Sequence, residues 1–247
     1  MTIETKKLCI NADLGEGSPW DEQIMPLIHT CNIACGGHAG NSESIKKTIL
    51  LAKNYSVTAG AHPSYPDSKN FGRVTLNISG HTLKKSIISQ IFSFLEESDK
   101  CEMKIHHIKL HGALYHDAAY NIECAKIVLD AFYEATGEKV LVFAPCQSPF
   151  VKLCTDNNWP VWQEAFIDRN YEHDYHLTSR KKDNALIVDS ELCFERLHKM
   201  IFQNQVITAS GETLSIFADT FCIHGDEPYT VDILKYIHEK LSNESFS

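Results

Sequence analysis

The sequence predicts an α/β protein whose parallel strands close into a barrel. Short apolar runs alternate with longer segments of helical period along the chain, and this alternation is typical of a mainly parallel sheet. About seven or eight strands are expected, which favours a closed barrel over an open sheet. The length of 247 residues suits one such domain, and no low-complexity linker marks a boundary. We therefore expect residues 1–247 to form a single domain.

The strands are predicted from short runs rich in Val, Ile, Leu, Phe and Cys. In chain order they are expected at residues 8–14, 30–35, 57–61, 106–110, 140–144, 161–166, 185–188 and 214–223. Glycine, proline and aspartate cluster between the predicted elements and indicate turns.

Helices are predicted between most of these strands. Asn41 is expected to cap the first, because Ile45, Ile49 and Ala52 follow it at helical spacing. Further helical segments are expected at residues 83–95, 124–132, 149–157, 193–201 and 231–241.

Charge and hydropathy exclude several classes of protein. The formal net charge of -9 argues against a nucleic-acid partner, which would need a concentrated basic surface. No apolar run approaches the roughly 18 residues of a membrane span, and the polar N-terminus has no apolar signal segment. The nine cysteines lack a CxxC pair and are interpreted as buried, reduced thiols. We therefore expect a cytoplasmic protein with no nucleic-acid or membrane partner.

Chemically reactive side chains cluster where the predicted strands end. In a parallel barrel all the carboxyl ends of the strands open on one face, where the active sites of such enzymes lie. Six separate clusters are therefore expected to converge on one pocket. The candidates, in strand order, are Asn11, Asp13 and Glu16; Asn32 and His38; His62 and Arg73; Lys109 and His111; Glu164, Asp168, Arg169 and Arg180; and His224 and Asp226.

Asp13 is predicted to be catalytic, because a carboxylate at the end of an apolar strand is costly to bury without a partner or a metal ion. Glu164 is the alternative general base. Asn11 and Glu16 either orient Asp13 or cap a turn, and both interpretations stay open.

His62 and His111 are predicted to act as a general acid or an electrophilic stabiliser. They follow the third and fourth strands directly, and we expect them opposite Asp13. One aspartate and two histidines can bind a divalent ion and leave positions open for water or substrate. A metal ion held by Asp13, His62 and His111 is therefore a hypothesis, and the alternative is that each histidine is an ordinary hydrogen-bonded core or surface residue.

His38 lies in a glycine-rich turn before the helix that Asn41 is expected to cap. Such a turn presents backbone N–H groups that can hold an anion or a developing oxyanion. A tight turn with an exposed histidine explains the pattern equally well. His224 and Asp226 are interpreted as an orienting pair or a helix N-cap.

Four cations at the strand ends are candidates for binding a substrate carboxylate or a phosphate. They are Arg73, Lys109, Arg169 and Arg180. Arginine suits a carboxylate because it binds in a bidentate geometry, and surface salt bridges are the alternative. The remaining residues predicted to bind substrate are Asn11, Glu16, Asn32, His38, Asp168, His224 and Asp226.

The same strand ends carry strings that resemble the successive signatures of the LamB/YcsF family. The strings are NADLGEG, NIACGGHAG, GAHPSYPD with FGR, KLHGALY, EAFIDRNY followed by Arg180, and DTFCIHGDEP. They occur in the family's order from about Leu8 to the last predicted helix. The departures are small: Leu110 stands where the family usually has proline, and His116 where it has asparagine.

The resemblance implies a seven-stranded β/α barrel of the glycoside hydrolase/deacetylase type. It also implies conversion of 5-oxoproline to L-glutamate with ATP hydrolysis, and assembly with two partner subunits, B and C. The deacetylase relatives use an Asp-His-His arrangement at comparable strand ends. Since the sequence contains neither a GxGxxG turn nor a P-loop, partner subunits are expected to supply or complete the ATP site.

Two other functions stay open at this stage. The first is a stand-alone, metal-dependent hydrolase that acts on an acylated sugar or a small amide. The second is a non-catalytic subunit that binds substrate and presents it to its partners.

Overall fold

The computed structural model describes residues 8–244, which form nine strands and eight α-helices. The strands are β1 (Ile10–Leu14), β2 (Thr30–Ala34), β3 (Thr58–His62), β4 (His107–Lys109), β5 (Leu141–Pro145), β6 (Val161–Phe166), β7 (Gln205–Ile207), β8 (Thr213–Ser215) and β9 (Thr220–His224). Seven of them close into a parallel barrel in the order β1-β2-β3-β4-β5-β6-β9. The predicted fold class, a seven-stranded β/α barrel, is confirmed. The prediction for residues 1–7 lies outside the described residues.

The helices surround this barrel and occupy most of the connections between its strands. They are α1 (Asp21–Ile24), α2 (Ser42–Asn54), α3 (Gly80–Lys100), α4 (Gly112–Tyr120), α5 (Ile122–Thr136), α6 (Pro149–Asp156), α7 (Ser190–Phe202) and α8 (Thr230–Glu244). Asn41 caps α2 as predicted, since its side-chain oxygen accepts a hydrogen bond from the Ser44 backbone N–H at 2.9 Å. The Ser44 hydroxyl in turn accepts one from the Asn41 N–H at 2.8 Å, which completes a capping box.

Two predicted strands are wrong in detail. Residues 185–188 are not a strand, because Leu186 makes only an isolated bridge to Arg169 and the Asp189 cap of α7 follows at once. The predicted strand at residues 214–223 is two elements. Its first part, β8, pairs antiparallel with β7 outside the barrel. The chain then enters the barrel at Asp219, whose backbone N–H donates to the Gln163 carbonyl at 2.7 Å beside β6.

Alternate residues of the barrel strands point inward, and these inward positions are unusually polar. The lower interior is filled by stacked rings, with His107 3.9 Å from Phe143 and Phe143 5.4 Å from Trp162, measured between centroids. Gly60 makes room for the His107 ring, since a Cβ there would lie 2.6 Å from two of its carbons. Amide and ammonium groups lie above the rings. Polar side chains therefore already occupy the interior of the barrel, below its mouth.

The apolar side chains pack in one continuous core between the barrel and its helices. All nine cysteines are buried and no disulfide joins them within residues 8–244, in agreement with the predicted reduced thiols. In the same range, no helix combines the length and the apolar character that crossing a membrane requires.

Candidate functional site

The carboxyl ends of the barrel strands bring the principal candidates together. Asp13 pairs in register with Asn32 of β2 and with His224 of β9, and His62 and Glu164 end or nearly end β3 and β6. All except His224, which is partly exposed, are buried. The predicted convergence of these residues on one mouth is therefore observed, although they are distant in sequence.

Lys109 lies at the centre of this mouth and is only 2% exposed. Its ammonium donates to Asp13 Oδ1 at 2.7 Å and to Cys222 Sγ at 3.0 Å, and lies 3.1 Å from Glu164 Oε1. Burial alone would lower the pKa of Lys109, but Asp13, Cys222 and Glu164 outweigh burial and hold that pKa well above its ordinary value. Lys109 therefore stays charged and joins the carboxylates of Asp13 and Glu164. The partners of its ammonium are thus side chains of the barrel itself.

Asp13 is held ionised by the same contacts. Burial alone would raise the pKa of Asp13, but His62 and Lys109 hold it well below its ordinary value. The Asn32 amide donates to Asp13 Oδ1 and to Asn11 Oδ1, each at 2.8 Å. Asn11 and Asn32 are thus completely buried supports of Asp13, which favours the orienting role that the sequence left open for Asn11.

His107 was not among the sequence-predicted residues, yet it belongs to this network. Its Nε2–H donates to Asn32 Oδ1 at 2.6 Å, and burial lowers its pKa well below the ordinary value. The signal that could have found it is strand parity, since His107 and Lys109 are two residues apart on β4 and point to the same side.

Glu164 has a second partner that the sequence analysis missed. The hydroxyl of Tyr115, a buried residue of α4, donates to Glu164 Oε2 at 2.7 Å. A small cavity of about 10 Å³ opens beside this pair, which is about the space that one water molecule needs. Its aromatic lining consists of Tyr115, Tyr120, Phe166, Tyr171 and Tyr175.

Across the mouth from Glu164, one carboxylate and three histidines form a compact group, here called the imidazole–carboxylate cluster (Glu16, His38, His62 and His111). Glu16 Oε1 lies 2.8 Å from His38 Nε2, 3.3 Å from His111 Nδ1 and 3.9 Å from His62 Nε2. His62 Nε2 and His111 Nδ1 are 3.0 Å apart. The side chains of all four are at most 6% exposed.

Burial shifts the proton affinities within this cluster. Burial and the nearby Asp13 raise the pKa of Glu16 to about 8, and burial lowers the pKa of His38 to about 4. Burial and the neighbouring His38 and His62 lower the pKa of His111 well below its ordinary value. Strongly perturbed groups in a cleft are typical of functional sites.

The loop after β3 shapes the outer side of the cluster. Phe71 has a left-handed backbone (φ 54°), and its carbonyl accepts a hydrogen bond from His111 Nε2 at 3.0 Å. Gly72 follows with φ 62°, and a Cβ there would lie 3.0 Å from the His38 Cβ and 3.1 Å from the His111 ring. Only glycine combines this backbone conformation with so close an approach to two histidines.

The cluster can hold a metal ion, because each member offers one ligand atom and these atoms lie within 4.8 Å of one another. It differs from the metal set predicted from sequence. His62 and His111 are members, but Asp13 is not, and Glu16 and His38 are present instead. Asp13 Oδ2 lies 3.5 Å from His62 Nε2, while Asp13 Oδ1 binds Lys109 and Asn32.

The glycine-rich turn before α2 gives His38 its position. The Gly36 N–H of this turn donates to the Ala39 carbonyl at 2.8 Å, so this amide is satisfied inside the turn. His38 itself is buried at 2% exposure and not exposed as the alternative interpretation had it. It contributes its imidazole to the cluster.

The predicted orienting pair of His224 and Asp226 is wrong. His224 Nδ1 lies 2.9 Å from Oδ2 of the fully buried Asp168, which also accepts from the His224 backbone N–H at 3.1 Å. Asp226 instead accepts from Arg73 Nη2 at 2.6 Å. The reason is position: Asp168, two residues beyond the end of β6, faces His224 at the end of β9, whereas Asp226 lies two residues beyond β9 on the rim.

Arg169 and Arg180 lie on the long connection between β6 and α7. Arg169 is buried and donates to the backbone carbonyls of Thr178 at 2.7 Å and Ala185 at 3.3 Å. Burial and the nearby Arg180 lower the pKa of Arg169 to about 10. Arg169 thus organises this connection from within, and the half-buried Arg180 lies near it.

Comparison with known proteins assigns the chain to a family. The LamB/YcsF family model matches residues 8–247. Proteins named as the A subunit of 5-oxoprolinase, from Staphylococcus aureus strains JH9 and MRSA252, are 35% and 36% identical over 240 residues, which cover 95% of this chain and 96% of theirs. The crystal structure of the lactam utilization protein from Thermus thermophilus matches with a TM-score of 0.88 at 28% identity, over 97% of both chains. The chain therefore belongs to the LamB/YcsF family.

Proposed function

We propose that this chain is the A subunit of an ATP-dependent 5-oxoprolinase, which hydrolyses 5-oxoproline to L-glutamate together with two further subunits, B and C. The observation that carries the proposal is its similarity, over 95% of its length, to proteins named as the A subunit of 5-oxoprolinase. A cytoplasmic location suits a metabolic reaction that consumes ATP.

The barrel mouth suits a small cyclic amide. 5-Oxoproline is a five-membered lactam with one carboxylate, and the small cavity beside Glu164 is lined largely by aromatic side chains. Its aromatic walls can pack against the ring, while a few polar groups fix the orientation. Of the predicted arginines, Arg73 lies on the rim with 36% of its side chain exposed and is the candidate for the substrate carboxylate.

We assign different catalytic roles to the carboxylates and to the histidines of the mouth. In the proposed reaction, ATP transfers a phosphoryl group to the lactam oxygen and leaves as ADP. A water molecule attacks the activated carbon, and the ring C–N bond breaks as its nitrogen takes up a proton. A second water molecule then releases phosphate from the resulting acyl phosphate to give glutamate. Asp13 or Glu164 accepts the proton of the first water molecule, and His62 or His111 stabilises the charge that develops on oxygen. Each such group is typically worth about 10²–10⁴-fold in rate.

The ATP site is proposed to require the partner subunits. The sequence contains no P-loop or GxGxxG turn, so the usual backbone cradle for phosphates is missing. We expect little or no oxoprolinase activity from the isolated chain.

Reconstitution tests this proposal. The chain, mixed with its B and C subunits, should form glutamate from 5-oxoproline with one ADP released per turnover, and Asp13→Asn should lower kcat by at least about 100-fold. Lys152→Asn, on the exposed surface of α6, is the matched control and should keep wild-type turnover. Robust turnover by the chain alone, or full activity of the Asp13→Asn complex, would contradict the proposal.

A second candidate function is favoured by the imidazole–carboxylate cluster. A metal-dependent hydrolase of a small amide or acylated sugar would use such a cluster without ATP. Omitting ATP separates the two candidates, because only the hydrolase would release product in its absence.

A further inference from the structure

We propose that Glu16, His62 and His111 bind one divalent transition-metal ion at the barrel mouth, that His38 positions Glu16, and that Asp13 remains outside the coordination sphere. This assignment names a ligand set different from the Asp-His-His set expected from sequence. It divides the five residues into three ligands, one residue that positions a ligand and one that stays outside the coordination sphere.

The first argument comes from the hydrogen bonds on the far side of each ring. His62 Nδ1 lies 2.9 Å from the Lys109 carbonyl, and His111 Nε2 lies 3.0 Å from the Phe71 carbonyl. A carbonyl oxygen only accepts, so both of these nitrogens carry the proton. The opposite nitrogens, His62 Nε2 and His111 Nδ1, then carry lone pairs in the neutral rings, and they face each other at 3.0 Å.

Two lone pairs at this distance repel unless a cation lies between them. Either a proton or a metal ion meets this need, and the surroundings favour the metal. The backbone carbonyls that fix both rings are the partners that metal-binding histidines commonly use to set their tautomer. In addition, Glu16 Oε1 points at the same space, 3.3 Å from His111 Nδ1.

The second argument is geometric. Ligands about 2.1 Å from a metal lie about 3.0 Å apart at right angles and about 3.4 Å apart in a tetrahedron. The three distances among His62 Nε2, His111 Nδ1 and Glu16 Oε1 are 3.0, 3.3 and 3.9 Å. Only the longest exceeds these values, and a shift of the carboxylate by about 0.5 Å closes the difference.

The third argument is charge. Asp13 and Glu164 lie 2.7 and 3.1 Å from the ammonium of Lys109, whereas the Glu16 side chain, which is 4% exposed, contacts the three histidines instead. Ionised carboxylates are costly to bury without compensation. A divalent cation beside Glu16 compensates the charge that this carboxylate carries when it is ionised.

The remaining two residues have better partners than the metal. His38 stacks flat on His111, with centroids 3.6 Å apart and planes 3° apart, so the lone pairs of these parallel rings do not converge on one point. The His38 Nε2–H instead donates to Glu16 Oε1 at 2.8 Å and fixes the carboxylate. Asp13 Oδ1 already accepts from Lys109 and Asn32, and its Oδ2 lies 3.5 Å from His62 Nε2.

The donor set indicates the class of metal. Two imidazoles and one carboxylate suit Zn²⁺, Fe²⁺, Co²⁺ or Ni²⁺, whereas Mg²⁺ and Ca²⁺ prefer oxygen ligands. Three protein ligands leave positions open for water or for the lactam oxygen. The binding of the lactam oxygen to the ion rests on the proposed function. In that function the ion would be the electrophile that polarises this oxygen on the histidine side of the mouth.

Metal binding by the isolated chain tests the assignment without substrate, ATP or partner subunits. The full chain, produced without a polyhistidine tag and stripped with chelator, is titrated with Co²⁺ while its visible absorption is recorded. We expect one Co²⁺ per chain and a higher melting temperature in its presence, because the ion binds only the folded state.

Variants separate the roles. Glu16→Gln and His111→Asn should abolish the stoichiometric Co²⁺ spectrum. His38→Asn should weaken the affinity by about 10–100-fold, as expected of a residue that positions a ligand. Asp13→Asn should keep the spectrum, and so should His116→Asn, the control at a histidine that lines the neighbouring cavity. The unfolding midpoint of each variant shows whether it is folded.

Two results would overturn the assignment. One is a folded, metal-free wild-type chain that takes up neither Co²⁺ nor Zn²⁺, which would mean that a proton lies between the two histidines. The other is loss of binding in Asp13→Asn with retention in Glu16→Gln, which would restore the ligand set first expected. If the wild-type chain binds neither ion and the reconstituted complex is nevertheless fully active, the metal site is rejected and the proposed function still stands.

Discussion

Lys109 decides how the buried charges of the barrel are arranged. Its ammonium lies within 3.1 Å of both Asp13 and Glu164, while the amides of Asn11 and Asn32 hold the surrounding oxygen atoms. Removing one partner of a buried ion pair generally costs about 3–5 kcal/mol, because a charge is left uncompensated. The residue that the sequence offered as a substrate-binding cation is therefore a central support of the site.

The Asp168–His224 contact carries a prediction about pH. Burial alone would raise the pKa of Asp168, but His224 and the hydrogen bonds it donates lower that pKa below its ordinary value. A group whose pKa is lower in the folded state stabilises the protein fully above the unfolded pKa of about 3.9, and this stabilisation is lost as pH falls through the folded value. Asp168→Asn should therefore lower the free energy of unfolding by about 1–3 kcal/mol at pH 7 and progressively less below about pH 4.

Urea unfolding between pH 7 and pH 3 measures this effect. Asp156→Asn removes an exposed carboxylate paired with Lys152 and should reproduce the wild-type profile, because exposed pairs are screened by solvent. A difference between wild type and Asp168→Asn that stays constant over the whole pH range would argue against the ionised pair.

Sequence reasoning could predict which residues meet at the mouth, but not which atoms touch. The convergence of Asp13, His62, His111 and Glu164 follows from strand order alone. The preference of the cluster for Glu16 over Asp13 depends on side-chain direction, because Lys109 and Asn32 engage one oxygen of Asp13.

At the scale of the elements, the glycine-rich turn and helix α2 together hold His38 in place. The cap of α2 at Asn41 fixes where the turn ends, through reciprocal hydrogen bonds with Ser44. Asn41→Ala should lower the free energy of unfolding by about 1 kcal/mol, because the first turn of the helix loses a hydrogen-bond acceptor. Asn54→Ala, at the exposed end of the same helix, is the matched control for urea unfolding. Equal effects of the two substitutions would speak against the cap.

The first six barrel strands were predictable to within two residues because buried parallel strands read as apolar runs. Two features were not. Helix α4 begins at Gly112, with only two residues between it and the end of β4, in a stretch where no helix was predicted. Strands β8 and β9 form one apolar stretch in sequence, and only the contact of Asp219 with Gln163 shows where the chain enters the barrel.

For the whole molecule, closure of the barrel separates a rigid part from a less protected one. The strands β1 and β2 are buried at every residue, whereas β7 and β8 form a two-stranded sheet outside the barrel with only Val206 buried. Local opening is easiest where few buried contacts oppose it.

Hydrogen–deuterium exchange checks this difference. Peptides that contain β7 and β8 should take up deuterium at least about tenfold faster than peptides that contain β1 and β2. The helix α7, which joins the barrel to this hairpin and buries Leu197 and Met200, is expected to be intermediate. Equal protection of the hairpin and the barrel would mean that the hairpin is part of the same cooperative unit.

The polar column inside the barrel, from His107 through Asn32 and Asn11 to Lys109 and Asp13, limits how this protein can diverge. A change at any one position leaves a buried hydrogen-bonding group of its neighbour without a partner, which is costly in a low-dielectric interior. We therefore expect substitutions at the positions of the column to occur together in related proteins. Residues of the rim loops are expected to change independently of one another. New substrate preferences in related proteins would then arise at the rim, above a column that changes rarely and in concert.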